Sequence, residues 1–281
     1  MDEEEKERKR RAQLRLIVEK VSNLPTLPEI VVRIAEMVDS PQTTGKRLGA
    51  EIASDQVISA KVLKLVNSGF YGFSQPIATI PHAVSMLGFN AVKSLVLSCS
   101  VLDSMNEAFP GLWEHSLACA RTCALIADQL GMSDPEELST IGLLHDLGKV
   151  VIYQTLEEEF IQIRLRVEEN AILVYKAEEQ VLGVDHGQVG GWLLERWALP
   201  AKLTAPIAEH HDFQPRRPHA ERAALVHLAD ILCRAEAFGN GGDRRIPRLH
   251  PTALTLLEMT IDEVGEVMAR MEEGLTDIQR M

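Results

Sequence analysis

A histidine and an aspartate stand side by side, His145-Asp146, directly after the apolar run Ile141-Gly142-Leu143-Leu144. Two titratable side chains at the end of an apolar segment are costly to bury unless hydrogen bonds, opposite charge or a metal ion compensate them. A chain that carries them must fold so that other elements deliver the compensating groups. Candidates for that role are His115, Asp185-His186, the pair His210-His211, and Asp230, which interrupts an apolar helical pattern. Imidazoles and carboxylates are ordinary ligands of divalent metals. The pattern predicts several helices that point ligands into one cavity. His227, three positions before Asp230, competes with it as a ligand. Lys149 follows Asp146 closely, and three outcomes stand open for it: pairing with Asp146, holding a phosphate, or facing solvent.

Apolar residues recur at helical spacing along most of the chain. The charge run Glu3 to Arg11 extends a helix through Leu14 to Val21. Pro28 fits the first turn of a helix to about Val38. Further helices carry Leu48 with Ile52, then Ile58, Val62, Leu65 and Val66, then Pro81 to Gly88, then Ala91 to Leu102 with Asn90 as cap. Phe70-Tyr71-Gly72-Phe73 reads as an aromatic packing loop. A long helix opens at Trp113 and stops at Gly131. Ser133 with Glu136, and Thr155 with Glu158, read as capping boxes. The first box opens a helix that reaches His145-Asp146; the second opens one from about Leu156 to Leu182. Asp185 caps the next helix, with Gln188 reciprocating and His186 at its first position. Leu199-Pro200 starts a helix that ends at His210-His211. One more runs from about His219 to Phe238. Gly239-Asn240-Gly241-Gly242 reads as a flexible break, and Pro251 opens a terminal helix to about Glu273.

With no internal repeat and no strand-rich stretch, the expected class is all-α, a helical N-terminal lobe packed on a second helical lobe. The expected division is a charged extension (1–16), the N-terminal lobe (17–105), the first part of the second lobe (106–213), its final core helix (214–240), and a linker with a C-terminal helix (241–281).

Charge narrows the function. Lysine and arginine number 29 against 41 acidic residues, a net charge of −12. That balance disfavours broad contact with nucleic-acid backbones, which depends on positive charge. No apolar leader or run of eighteen apolar residues occurs, so a cytoplasmic protein without a membrane span is expected. Cys99, Cys119, Cys123 and Cys233 match no zinc-knuckle or thioredoxin-like spacing and read as small buried residues of a reducing compartment.

Two groups of residues carry a family resemblance. The first comprises Leu24-Pro25-Thr26-Leu27-Pro28, Asp55, Ser59-Ala60-Lys61-Val62-Leu63-Lys64-Leu65-Val66-Asn67-Ser68, and Ile80-Pro81-His82-Ala83-Val84-Ser85-Met86-Leu87-Gly88. The second comprises Leu144-His145-Asp146-Leu147-Gly148-Lys149, Val181-Leu182-Gly183-Val184-Asp185-His186, Trp197-Ala198-Leu199-Pro200 and His210-His211. Together, over roughly residues 17 to 213, the chain resembles the HDOD family, a signalling-associated branch of the HD phosphohydrolase superfamily. The resemblance implies an HD-type second lobe. It also implies a divalent metal centre of one or two ions held by His115, His145, Asp146, His186, His210, His211 and Asp230. Iron or manganese is expected before zinc. In a reaction, Asp146 and Lys149 would be the catalytic pair, with Lys149 near a phosphate.

One departure stands out. HD-GYP enzymes follow the histidine pair with a Gly-rich stretch ending Gly-Tyr-Pro, and here Asp212 is followed by Phe213-Gln214-Pro215-Arg216-Arg217-Pro218. The expected function is therefore signal transduction through contact with a protein partner. The alternative is a metal-dependent phosphohydrolase or phosphodiesterase acting on a nucleotide or other phosphate-containing ligand.

Overall fold

The computed structural model describes residues 3–20, 33–34, 37, 43–54, 56–67, 73, 76–196, 199–242 and 245–275. Most of the helix expected from Pro28, most of the aromatic loop at Phe70, and Trp197 lie outside these residues. Every element among them is a helix: α1 (Glu3–Lys20), α2 (Gly45–Ala53), α3 (Gln56–Val66), α4 (Ile80–Ala108), α5 (Leu112–Gln129), α6 (Pro135–Leu144), α7 (Leu147–Thr155), α8 (Glu157–Asn170), α9 (Val174–Leu182), α10 (His186–Arg196), α11 (Ala201–Glu209), α12 (Ala220–Ala235), α13 (Ala253–Leu256) and α14 (Ile261–Leu275). The fold is all-α, as expected. No described helix is long and apolar enough to cross a membrane.

The N-terminal helices α2 and α3 pack on α4, which continues onto α5, α6 and α7. One continuous apolar core results, running from Leu48 and Val62 through Val92 and Leu95 to Ile126, Ile141 and Val150. Helix α4 bends at Gly88, whose φ of 82° interrupts the helix where a stop was expected. It then crosses Asp103 and runs on to Ala108. Asn67, at the end of α3, donates to Ile77 O at 2.8 Å and accepts from Ile77 N at 2.6 Å. Its amide thus replaces a backbone partner and fastens the segment before α4. In the second lobe, buried Glu137 on α6 pairs with Lys202 of α11 and Arg222 of α12. That grouping ties three helices at one end.

Several local expectations require correction. Neither proposed capping box forms. Asp134, in the left-handed region, is the N-cap of α6 and makes no side-chain cap bond, with Pro135 supplying the first turn. Thr155 donates back to Val151 O at 2.7 Å, and Leu156 takes the cap position of α8. The single helix expected from Leu156 to Leu182 is two, broken at Ala171 with φ 52°. Buried residues change from the sparse Phe160 and Ile163 of α8 to the dense Val174, Ala177, Glu178, Val181 and Leu182 of α9, so the two segments present different faces to the core. The terminal helix is likewise two, α13 and α14, with Glu258 left-handed between them. Asp185 does cap α10, accepting from Gln188 N at 2.9 Å, but the Gln188 side-chain oxygen reciprocates nothing.

Two glycines set the distances between site-bearing helices. A Cβ on Gly142 would meet Cys119 O at 2.8 Å, so α6 lies directly against the backbone of α5. A Cβ on Gly148 would stand 1.9 Å from His186 O, so α7 and α10 cross in backbone contact. Gly148→Ala should therefore cost at least the roughly 1–3 kcal/mol of ordinary overpacking, because the obstacle is a carbonyl rather than a mobile side chain. Urea denaturation measures this, and a midpoint equal to that of the parent protein would refute the crossing.

Candidate metal centre

Helix ends aim the histidines. The last carbonyls of a helix have no intrahelical partner. His145 follows α6, and its ring turns back so that Nδ1 donates to Gly142 O at 2.7 Å. His210 follows α11 and repeats the device, with Nδ1 donating to Ile207 O at 2.8 Å. A carbonyl can only accept, so Nδ1 carries the proton in both rings and Nε2 keeps its lone pair. Both Nε2 atoms point inward and find no hydrogen-bond partner. His115, in the first turn of α5, sets Nδ1 3.4 Å from Phe238 O. In His145 and His210 one ring nitrogen is fixed by the protein and the other is left without a hydrogen-bond partner, which is how metal-binding histidines are oriented.

Asp146 begins α7 but does not cap it. Its carboxylate enters the cavity instead. Oδ2 lies 3.6 Å from His115 Nε2 and 3.4 Å from His145 Nε2, while Oδ1 lies 3.0 Å from His186 Nε2. The last approach is an ion pair without hydrogen-bond geometry, so Oδ1 finds no hydrogen-bond partner. One carboxylate thus faces two histidine groups. On the Oδ2 side stand His115, His145 and Asp230, whose Oδ1 is 3.0 Å from His115 Nε2. On the Oδ1 side stand His186, His210 and His211, with 2.9 Å between the Nε2 atoms of His186 and His211. All of these residues are at most 8% exposed. The seven expected ligands therefore converge, and their orphaned nitrogens and oxygen fit a divalent cation.

The surrounding groups decide the charges. Burial works against ionised carboxylates, yet His145 and Lys149 hold Asp146 well below the usual range, and Arg234 and His115 do the same for Asp230. Burial pushes His145 down to about 4, and drives His210 and His211 down as well. His186 behaves oppositely: burial works against its charge, but the charge of Glu178, the close Asp146 carboxylate and the hydrogen bond to Glu178 together lift it to about 9. Lys149 is fully buried, donating at 2.7 Å to both Asp146 Oδ2 and Gly241 O. The solvent-facing outcome for it is excluded.

His227 drops out as a ligand. Its Nδ1 donates to His210 O at 2.9 Å and its Nε2 accepts from His250 N at 2.9 Å, so both nitrogens are engaged in holding backbone. Asp185 also stays outside the cluster as a cap, and burial raises it to about 6.

Three features were not foreseen. Glu178 receives His186 Nδ1 at 2.6 Å and His186 N at 2.8 Å. Its signal was a carboxylate on the apolar stripe Val174, Ala177, Val181. Tyr175, one turn from Glu178's own face, stacks on His211 with centroids 4.2 Å apart. The glycine stretch expected to be a flexible break is a cover: Asn240 N donates to Gly111 O at 2.9 Å, and a Cβ on Gly239 would lie 2.2 Å from His115 N. At Gly239 only a residue without a side chain fits so close to α5.

A sequence model of the HDOD domain matches residues 24–213. The solved HDOD domain protein of Geobacter sulfurreducens, itself of unknown function, is 29% identical; the match covers 96% of this chain and 97% of that one, with a TM-score of 0.73. An uncharacterized protein of Treponema pallidum is 27% identical over 208 residues, 73% of this chain and 40% of that protein. Ribonuclease Y of Pelobacter propionicus is 27% identical over 156 residues, 56% of this chain and 24% of the enzyme. This chain spans less than half the length of these two curated relatives.

A pH dependence follows from His186. Its folded-state pKa of about 9 exceeds its ordinary 6.5, so its charged form stabilises the fold fully below 6.5, and that contribution is lost as pH rises through about 9. Histidines shifted down, and Asp185, change protonation below this window. Metal-free protein should thus lose stability between roughly pH 6.5 and 9, and Glu178→Gln should flatten the slope. Urea midpoints across that range, measured with chelator present, provide the check; equal slopes in both proteins would contradict the assignment.

Proposed function

This chain belongs to the HDOD domain family, and from that premise we propose a signal-transduction regulator that works through protein contacts and is stabilised by an HD-type metal centre. The observation that carries this reading is closure. Every proposed ligand is buried, and Lys149, the group best suited to meet a phosphate, is already spent on Asp146 and on the carbonyl of Gly241. The proposed ligands are His115, His145, Asp146 and Asp230 for one ion, and Asp146, His186, His210 and His211 for a second. When bound, a divalent ion lowers the pKa of water and polarises phosphoryl oxygens. The chain's own residues do the rest of the work. Gly142 O and Ile207 O hold His145 and His210 in one tautomer, Glu178 orients His186, and Gly239 to Gly242 exclude solvent. The helices α2 to α4 bring no catalytic group and are the proposed partner surface.

A second reading, metal-dependent hydrolysis of a phosphate ester, is favoured by one feature. Asp146 turns an oxygen to each histidine group, as a carboxylate shared between two ions would. The similarity to ribonuclease Y points the same way over its matched portion. Under this reading Lys149 must leave Gly241 O to meet a phosphate.

One experiment separates the two. Purified protein, untagged and metal-reconstituted, is assayed on a panel of linear and cyclic nucleotides and simple phosphate esters beside Asp146→Ala. The regulatory reading expects no turnover, together with a metal-dependent rise in melting temperature that Asp146→Ala loses. Ligand at a hundredfold excess over its dissociation constant contributes about 2.7 kcal/mol. Robust turnover abolished by Asp146→Ala would overturn it in favour of hydrolysis.

A further inference from the structure

Cys119 sits one turn beyond His115 on the same face of α5, and its Sγ lies 3.5 Å from His115 Nε2. One donor atom from each of His115, Cys119, His145 and Asp230 can be chosen so that all four lie within 4.8 Å of one another. Zinc bond lengths of about 2.0–2.3 Å place tetrahedral ligand atoms roughly 3.3–3.7 Å apart. From His115 Nε2, the 3.5 Å to Cys119 Sγ falls in that range and the 3.0 Å to Asp230 Oδ1 just below it, while His145 Nε2 to Asp230 Oδ1, at 4.0 Å, is just above it. A second observation points independently to a cation: His145 Nε2 is fully buried, aimed into this group, and without a hydrogen-bond partner. Cys123, the next cysteine on α5, does not belong to the donor group; it packs beneath Gly142.

We propose that Cys119 is a metal ligand, and that its sulfur makes the His115 side of the centre selective for a thiophilic ion, zinc or ferrous iron, over magnesium and manganese. The inference rests on the metal-centre reading above and adds a donor that changes the ion it takes. Oxygen-rich sites suit magnesium and manganese, whereas a thiolate favours zinc and iron. Coordination replaces the S–H bond by a metal–sulfur bond and releases one proton to solvent, with no electron transferred. With four donors on the His115 side, Asp146 would be a fifth ligand there and would also serve the ion held by His186, His210 and His211.

Cobalt(II) reports the sulfur directly. The full chain, loaded with cobalt, should show an intense near-ultraviolet sulfur-to-cobalt charge-transfer band alongside the visible ligand-field bands. Cys119→Ser should remove the first and keep visible bands from the remaining ligands, while Cys123→Ser should keep both. Cys119→Ser should also lower the preference for zinc over manganese by at least about tenfold. Zinc-edge X-ray absorption on the parent protein, which needs no variant, should show a sulfur neighbour at about 2.3 Å. Cobalt bound with visible bands but no charge-transfer band, and zinc with only nitrogen and oxygen neighbours, would overturn the role of Cys119 while leaving the metal centre standing. No bound cobalt or zinc in the parent protein would overturn both.

Discussion

Burial of ionised carboxylates beside imidazoles is the constraint on which the second lobe depends. Asp146 and Asp230 are each about 1% exposed or less, and both are held in the charged form. An isolated buried carboxylate would neutralise rather than stay charged. Here Lys149, Arg234 and the histidines prevent that, and each arrives from a particular helix at a particular angle. Removing one partner leaves the others uncompensated in a low-dielectric interior, which is why such a cluster resists piecemeal change. The surrounding apolar core supplies bulk stability, but the charge cluster dictates which helix ends must meet.

Meeting at that distance requires small residues at the crossings. Gly142 lets α6 touch α5, Gly148 lets α7 touch α10, and Gly239 lets the covering turn reach the amide of His115. The repeated use of a helix C-terminus, at His145 and at His210, solves two problems together. Each ring satisfies a carbonyl that the helix leaves unpaired, and by doing so fixes its own tautomer. His227 shows the same chemistry with a different outcome, because a backbone group occupies each of its nitrogens.

The helical class and the convergence of His145-Asp146 with His210-His211 were legible in the sequence, since apolar periodicity and adjacent polar pairs at helix ends are local signals. Helix breaks at Ala171 and Glu258 were not, because neither is the glycine or proline that usually marks a left-handed turn or a break. Capping boxes failed for a related reason. A left-handed backbone at Asp134, and the end of α7 at Leu156, place each cap one residue after the expected Ser133 and Thr155. Glu178 lies eight positions from its partner His186, on a separate helix. Its position on an apolar stripe was visible; the identity of its partner required the fold. Gly239 to Gly242 were read from composition as flexible, yet glycine there reflects close approach rather than freedom.

The proposed centre reaches more of the molecule than its own volume. Its ligands come from six helices: His115 from α5, His145 from the end of α6, Asp146 from the start of α7, His186 from α10, His210 and His211 from the end of α11, and Asp230 from α12. An ion bound only by the folded arrangement stabilises all six together. Helix α4 packs on three of them, α5, α6 and α7, and it also carries α2 and α3. Any state of the centre that shifts α6 against α5 would therefore act on α4, which also carries helices of the N-terminal lobe. A closed metal site in a regulator is consistent with this wiring. Under the proposed regulatory reading the ion would not need to meet a substrate to matter, because its ligands lie on helices that support the proposed partner surface.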